Sequence, residues 1–237
     1  SSSWYRLDLE GLSIARRVGD PEMVKEALAV VPKAPFLKDD VRRRLWIQEL
    51  PGQRAVAKEF LDTGLWRRLT RSSPSRRSWQ TQADLASRGL SVPAPLAFWE
   101  RPNGSGVILM EHSAGQGLDR LLHRDWKGMK LRERRQVELH IAHLLHSLCR
   151  RRCLPGDLKA CNILVEEGRA VLVDLDGVRR GREITAEEMA SAWAQLNTSI
   201  PRAIRWRARA RVLLGAGLKG PLARQVFDYW GVRSTED

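Results

Sequence analysis

The spacing of apolar positions changes several times along the chain, and each change marks an element. Leu45-Trp46-Ile47 and Ala55-Val56-Ala57 are short β-type runs on either side of Pro51-Gly52, so a hairpin is predicted over 45–60, with Lys58 closing its second strand. Gly106 to Met110 is a continuous apolar run of strand length. After it, Ser113-Ala114-Gly115-Gln116-Gly117 has the composition of a connector, which places a lobe boundary between 112 and 113. From Leu131 to Arg151 the period becomes helical, with Val137, Ile141, Leu144, Leu145 and Leu148 on one face, and it stops before Pro155. Strand spacing returns in Ile163-Leu164-Val165 and Val171-Leu172-Val173, a second hairpin around Glu167-Gly168. Asp20-Pro21-Glu22 opens a helix whose apolar face is read as Met23, Ala27, Val30 and Val31. The Ser/Arg/Pro-rich stretch 70–77 reads as a loop, followed by a helix carrying Trp79, Ala83 and Ala86 that Gly89 stops. Strands dominate the first half and helices the second. This is an α+β chain with a sheet lobe at 1–112 and a mainly helical lobe at 113–237.

With 237 residues, 43% of them hydrophobic, the chain can bury one full core. Its apolar stretches, such as Val107–Met110 and Val171–Val173, are far too short to cross a bilayer. Ser1-Ser2-Ser3-Trp4 shows no signal-peptide pattern, so a cytoplasmic protein is expected. Cys149, Cys153 and Cys161 form an odd set without a C-x-x-C pair, which argues against a disulfide framework and against a zinc site. His140, His143 and His146 share the long helix, but no carboxylate or cysteine completes a metal set, so they read as ordinary helix residues.

Charge changes the picture more. Lys plus Arg total 41 against 28 acidic residues, a net +13, so the partner should be polyanionic: by charge alone nucleic acid, anionic lipid and acidic glycan all qualify. Arg150-Arg151-Arg152 is either a helix end favoured by the macrodipole or part of an anion site. Arg202, Arg205, Arg207, Arg209 and Arg211 interleave with Ile204, Trp206, Val212 and Leu213. That pattern is either a core-packed helix with a charged exterior or a basic helix on anionic lipid, with Arg205 and Arg209 facing the bilayer.

The strongest chemical signal is Gly156-Asp157-Leu158-Lys159-Ala160-Cys161-Asn162, after which a hairpin returns the chain to Val173-Asp174-Leu175-Asp176-Gly177. A loop of that length can present the Asp157 carboxylate to an acceptor hydroxyl while the Asn162 amide oxygen reaches a metal ion. Asp174, at a strand end, supplies a second metal ligand, and Lys159 can neutralise charge on a moving phosphoryl group. Asp176 is either a third ligand or a turn residue before Gly177.

These residues resemble the D-L-K-x-x-N catalytic loop and the D-F-G magnesium loop of the protein kinase superfamily. Val56-Ala57-Lys58 resembles its V-A-I-K strand, and Leu109-Met110-Glu111 its hinge. The resemblance implies a two-lobed protein kinase-like fold with a five-stranded antiparallel sheet in the first lobe. It also implies ATP held by Lys58 and by backbone groups near Glu111 and Ser113, with Mg2+ on Asn162, Asp174 and Asp176.

A narrower likeness is to the lipopolysaccharide core kinases. It is carried by Arg76-Arg77-Ser78-Trp79, by Gly89-Leu90-Ser91-Val92-Pro93-Ala94-Pro95, and by Asp174-Leu175-Asp176-Gly177-Val178-Arg179-Arg180. It implies an acceptor hydroxyl on Kdo or heptose of the lipopolysaccharide inner core. The partner would then be an anionic glycolipid, met on the cytoplasmic face of the inner membrane through peripheral contact with its anionic surface, and nucleic acid is not the expected partner.

Four departures go with the likeness. No G-x-G-x-x-G precedes Lys58, and Ser78 stands where the helix glutamate would pair with it, leaving Asp84, Gln80 or Gln82 to position the lysine. Pro155-Gly156 replaces the usual His-Arg, and no A-P-E follows Gly177. The alternatives are a protein or antibiotic-type kinase of the superfamily, or a pseudokinase serving as a binding module.

Overall fold

The computed structural model of the chain describes residues 4–16, 21–30, 32, 35–50, 52–61, 73–180, 184–217, 220 and 226. Asp20, Val31, Pro51 and the first residues of the 70–77 stretch lie outside them. The chain divides into two compact units, Ser1–Ser87 with Pro93–His112, and Arg88–Val92 with Ser113–Asp237.

The first unit is built on an antiparallel sheet of β1 (Trp4–Tyr5), β2 (Leu12–Arg16), β3 (Lys38–Asp39), β4 (Arg43–Leu50), β5 (Gln53–Phe60), β6 (Pro95–Glu100) and β7 (Gly106–Glu111), in the order β1-β2-β6-β7-β5-β4-β3. Seven strands stand where five were expected, because two-residue strands extend both edges. The β4–β5 hairpin pairs Leu50 with Gln53 across a two-residue turn, as the pattern predicted. β5 does not end at Lys58: Glu59 and Phe60 stay paired with Val107 and Gly106.

One sheet face packs on α1 (Pro21–Ala29) through Trp46, Ala57, Leu96 and Leu109. α1 buries Val24, Ala27 and Leu28, while Met23 and Val30 are exposed. The stripe read from sequence is therefore rotated by about one residue around the helix, since both stripes share Ala27 and only the sheet decides between them. The other face packs on α2 (Pro74–Ser87), where Trp79 stacks on Phe98 at 5.6 Å. α2 begins inside the stretch read as a loop, because the Ser73 hydroxyl accepts from Arg76 N at 3.1 Å and Pro74 opens the helix.

In the second unit α3 (Leu118–Arg120) continues into a wide turn over Leu121–Asp125 and is followed by α4 (Leu131–Arg150), whose five predicted apolar positions are all buried. β8 (Gln116–Gly117), β10 (Ile163–Glu166) and β11 (Arg169–Leu172) form a small sheet, so the connector read over 113–117 is partly strand. β9 (Cys153–Leu154) pairs with β12 (Arg179–Arg180). Ser91, in the short piece 88–92, accepts from Leu172 N at 2.9 Å.

α5 (Ala186–Ser199) is opened by a Thr185–Glu188 capping box and α6 (Trp206–Gly215) lies along α4, tied by Arg211 to both Glu138 oxygens at 2.6 Å. Arg209 does not face outward, which corrects the reading that grouped it with Arg205. Only 5% exposed, it donates to the carbonyls of Asn197, Ile200, Pro201 and Ile204 and to Asn197 Oδ1, capping the end of α5. Arg202, Arg205 and Arg207 remain exposed beside the exposed Trp206. Among the described residues no helix is long and apolar enough to cross a membrane.

Candidate active site

The candidate site of the second unit lies on two stretches that the β10–β11 hairpin brings together. Leu158 and Ala160 are fully buried and pin the first stretch, leaving Asp157, Lys159 and Asn162 partly exposed between them. The Asn162 side-chain NH2 donates to the Asp157 carbonyl at 2.9 Å and lies 3.5 Å from Asp157 Oδ2, closing the five-residue loop on itself. Lys159 Nζ sits 2.8 Å from Asp157 Oδ1, and that carboxylate raises the Lys159 pKa, by hydrogen bonding first and by charge second.

The second stretch, 173–177, is held against the first at both ends. Val173 N donates to the Asn162 carbonyl at 3.0 Å. At the other end Gly156 meets Gly177 so closely that a Cβ on Gly156 would lie 2.9 Å from the Gly177 carbonyl oxygen. The glycine in place of the usual arginine is thus required by the approach of two backbones. Gly177 itself has φ +78° in the turn closed by Val178 N to Leu175 O at 3.3 Å. Asp174 Oδ1 accepts from Asp176 N at 3.3 Å, so the backbone of Asp176 is part of that turn while its side chain stays partly exposed.

Two contributors were missed from sequence. Gln195 on α5 donates through Nε2 to Asp157 Oδ1 at 2.7 Å and accepts from Leu158 N at 3.2 Å. Ser199, one turn on, accepts from Ala160 N at 2.8 Å. Polar residues interrupting the buried run Ala192–Trp193–Ala194 and Leu196 were the available signal, though nothing in it says which loop they hold.

The remaining candidates belong to the first unit or its end. Lys58 is buried on the face of β5 that also carries Val56 and Phe60, with Nζ 5.2 Å from the Phe60 ring. Gln82, one of the residues considered for positioning it, gives its NH2 to the Pro93 carbonyl at 2.8 Å. That bond ties α2 to the Gly89–Pro95 step, and Arg76 ties it to β6 through Glu100. Glu111 ends β7 with its N–H committed to Ala94 O at 2.8 Å, and Ser113 begins the longer segment of the second unit.

The model of the lipopolysaccharide kinase (Kdo/WaaP) family matches residues 33–206. The chain belongs to that family. It is accordingly a kinase that uses ATP, and the reading as a non-catalytic binding module gives way. Among solved structures, "WaaP in complex with acyl carrier protein" is similar in fold, with a TM-score of 0.63 at 21% identity over 91% of this chain and 89% of that one. No curated protein matches the chain. The matched span takes in both units, so the family's pattern includes the Lys58 strand as well as the Asp157 and Asp174 loops.

Proposed function

We propose that this kinase transfers the γ-phosphoryl group of ATP to a hydroxyl of Kdo or heptose in the lipopolysaccharide inner core, with Asp157 as the proton acceptor. The observation that carries the reading is the Asp157 carboxylate itself. Its Oδ1 is taken by Lys159 and Gln195, while among the described residues Oδ2 has only the long approach of Asn162, which leaves it to an incoming hydroxyl.

The donor set suits Mg2+. The Asn162 amide spends its NH2 on the Asp157 carbonyl, its oxygen is approached by Cys161 Sγ at 3.7 Å, and Asp174 adds a carboxylate on the neighbouring stretch. Hard oxygen ligands in that number, completed by phosphate and water oxygens, are what this ion takes. Asp176 is the further ligand in this assignment. Bound there, Mg2+ supplies the charge neutralisation that a triphosphate needs. Lys58 holds the α and β phosphates as a point charge, backbone groups at Glu111 and Ser113 hold adenine, and Lys159 offsets charge on the moving group.

The acceptor is anionic, which fits the net +13. Exposed Arg202, Arg205 and Arg207 around Trp206 support peripheral contact with the anionic inner-membrane surface from the cytoplasmic side. The test is transfer from ATP to purified core oligosaccharide, read by mass spectrometry as one added phosphate and located by fragmentation. Asp157→Asn should lower turnover by about two to four orders of magnitude with little change in ATP affinity. Asp174→Ala should abolish magnesium-dependent ATP binding. Transfer only to proteins or to small aminoglycosides, or full activity in Asp157→Asn, would refute the assignment.

A further inference from the structure

Asp157 does not set its own orientation. Resting on the role just given to it, we propose that Gln195 is a positioning residue for the phosphoryl transfer, holding the Asp157 carboxylate so that Oδ2 is the oxygen presented to the acceptor hydroxyl.

The amide of Gln195 is gripped at both ends. Its NH2 donates to Asp157 Oδ1 at 2.7 Å and its oxygen accepts from Leu158 N at 3.2 Å. Turning the amide over would set oxygen against carboxylate and NH2 against N–H, so only one orientation satisfies both partners. The loop is therefore bound through a side chain and the next backbone N–H together, which fixes the Asp157 rotamer relative to its own main chain. Lys159, which is partly exposed, reaches the same Oδ1 from the other side but has a flexible stem. Gln195 is the rigid member of the pair, because α5 is anchored along its length.

The anchors are specific. Thr185 and Glu188 cap the start of α5 reciprocally. Ser199 accepts from Ala160 N while donating to Leu196 O at 2.7 Å, a second hold on the same loop one helical turn later. Beyond the end, the Arg209 guanidinium gathers the carbonyls of Asn197, Ile200 and Pro201. The i, i+4 spacing of Gln195 and Ser199 thus matches the reach from Asp157 to Ala160, and a helix acts as the template for the loop.

Among the described residues, the charged and titratable groups around Asp157 are few. Lys159 and Cys161 lie on its own loop, and Asp174 and Asp176 lie on the stretch held against it. From α5 the loop receives the neutral Gln195 and Ser199. A carboxylate introduced at 195 would set a second negative charge beside Oδ1 and push the Asp157 side chain out of its held rotamer.

The experiment compares the steady-state kinetics of Gln195→Glu, Gln195→Met and wild type for transfer to core oligosaccharide, with melting temperature as a folding control and Asp157→Asn alongside. Gln195→Glu keeps the acceptor for Leu158 N and loses only the donor to Asp157. It should stay folded, lower kcat by about ten- to a hundredfold, and leave KM for ATP within about twofold. Gln195→Met should lower kcat by about ten- to a hundredfold, with KM for ATP again little changed. Wild-type kcat in both folded variants would overturn the role of Gln195 while leaving Asp157 in place. Wild-type kcat in Asp157→Asn would overturn the base assignment, and the role of Gln195 with it.

Discussion

Adding one methyl group at Gly156 tests whether the two loops of the site work as a single piece. The Cβ of Gly156→Ala would meet the Gly177 carbonyl oxygen at 2.9 Å and the carbonyl carbon at 3.2 Å. Neither is the free end of a side chain, and the facing stretch cannot swing away because Val173 N is bonded to Asn162 at its other end. The backbones must part by about half an ångström to reach ordinary contact. Overpacking of this kind costs about 1–3 kcal/mol. At about 2–4 °C per kcal/mol for a chain of this size, the melting temperature should fall by roughly 2–12 °C. Catalysis should suffer more than stability, since Asp157 is the next residue and Asp174 lies on the displaced stretch. Misplacement on the ångström scale costs up to about a hundredfold, so kcat should fall roughly ten- to a hundredfold. Differential scanning calorimetry and steady-state kinetics, run well below the variant's melting temperature, measure the two effects separately. Wild-type kcat in Gly156→Ala would refute the idea that the close approach sets the geometry.

Arg209→Leu should destabilise the protein by about 3 kcal/mol in urea unfolding, because it removes the guanidinium that the buried carbonyls of Asn197 and Ile204 accept from. Arg152, with φ 51° just past the end of α4, sits where glycine is the better residue, so Arg152→Gly should raise stability by about 0.5–1 kcal/mol in the same assay. Lys58→Arg should not rescue the raised KM for ATP of Lys58→Ala, since a bulky planar fork cannot replace a point charge at a site only 7% exposed. Transfer to the anionic core should slow as NaCl rises, more than ATP binding weakens, and an equal response of the two would argue against electrostatic capture of the acceptor.

The parts legible in the sequence are those fixed by local spacing. Val137 to Leu148 announce α4, the two hairpins show alternation flanking Gly-containing turns, and Asp157, Asn162 and Asp174 are placed by loop and hairpin lengths alone. What was illegible depends on partners distant in the chain. β2 was missed because Ser13, a polar residue, occupies a core position and spends its hydroxyl on the Leu7 carbonyl. Arg209 looked like surface because sequence cannot show that carbonyls at the end of α5 wait for a guanidinium. Gln195 was hidden for the same reason: its importance comes from a loop 38 residues earlier, and no motif encodes that separation.

The piece 88–92 makes the order of synthesis matter. Leu90 and Val92 are buried in the finished protein, yet they belong with β11, and the Leu172 N–H that Ser91 receives emerges about 80 residues later. At ribosomal speeds of about 5–20 residues per second, that short apolar tract stays without its final partner for roughly 4–16 s. A catalytic unit expressed from residue 113 onward would lack it permanently, leaving the β11 edge open to pairing with another chain. Truncation of this kinase to its second unit should therefore yield aggregates, and adding back a peptide covering 88–92 is the change to try first.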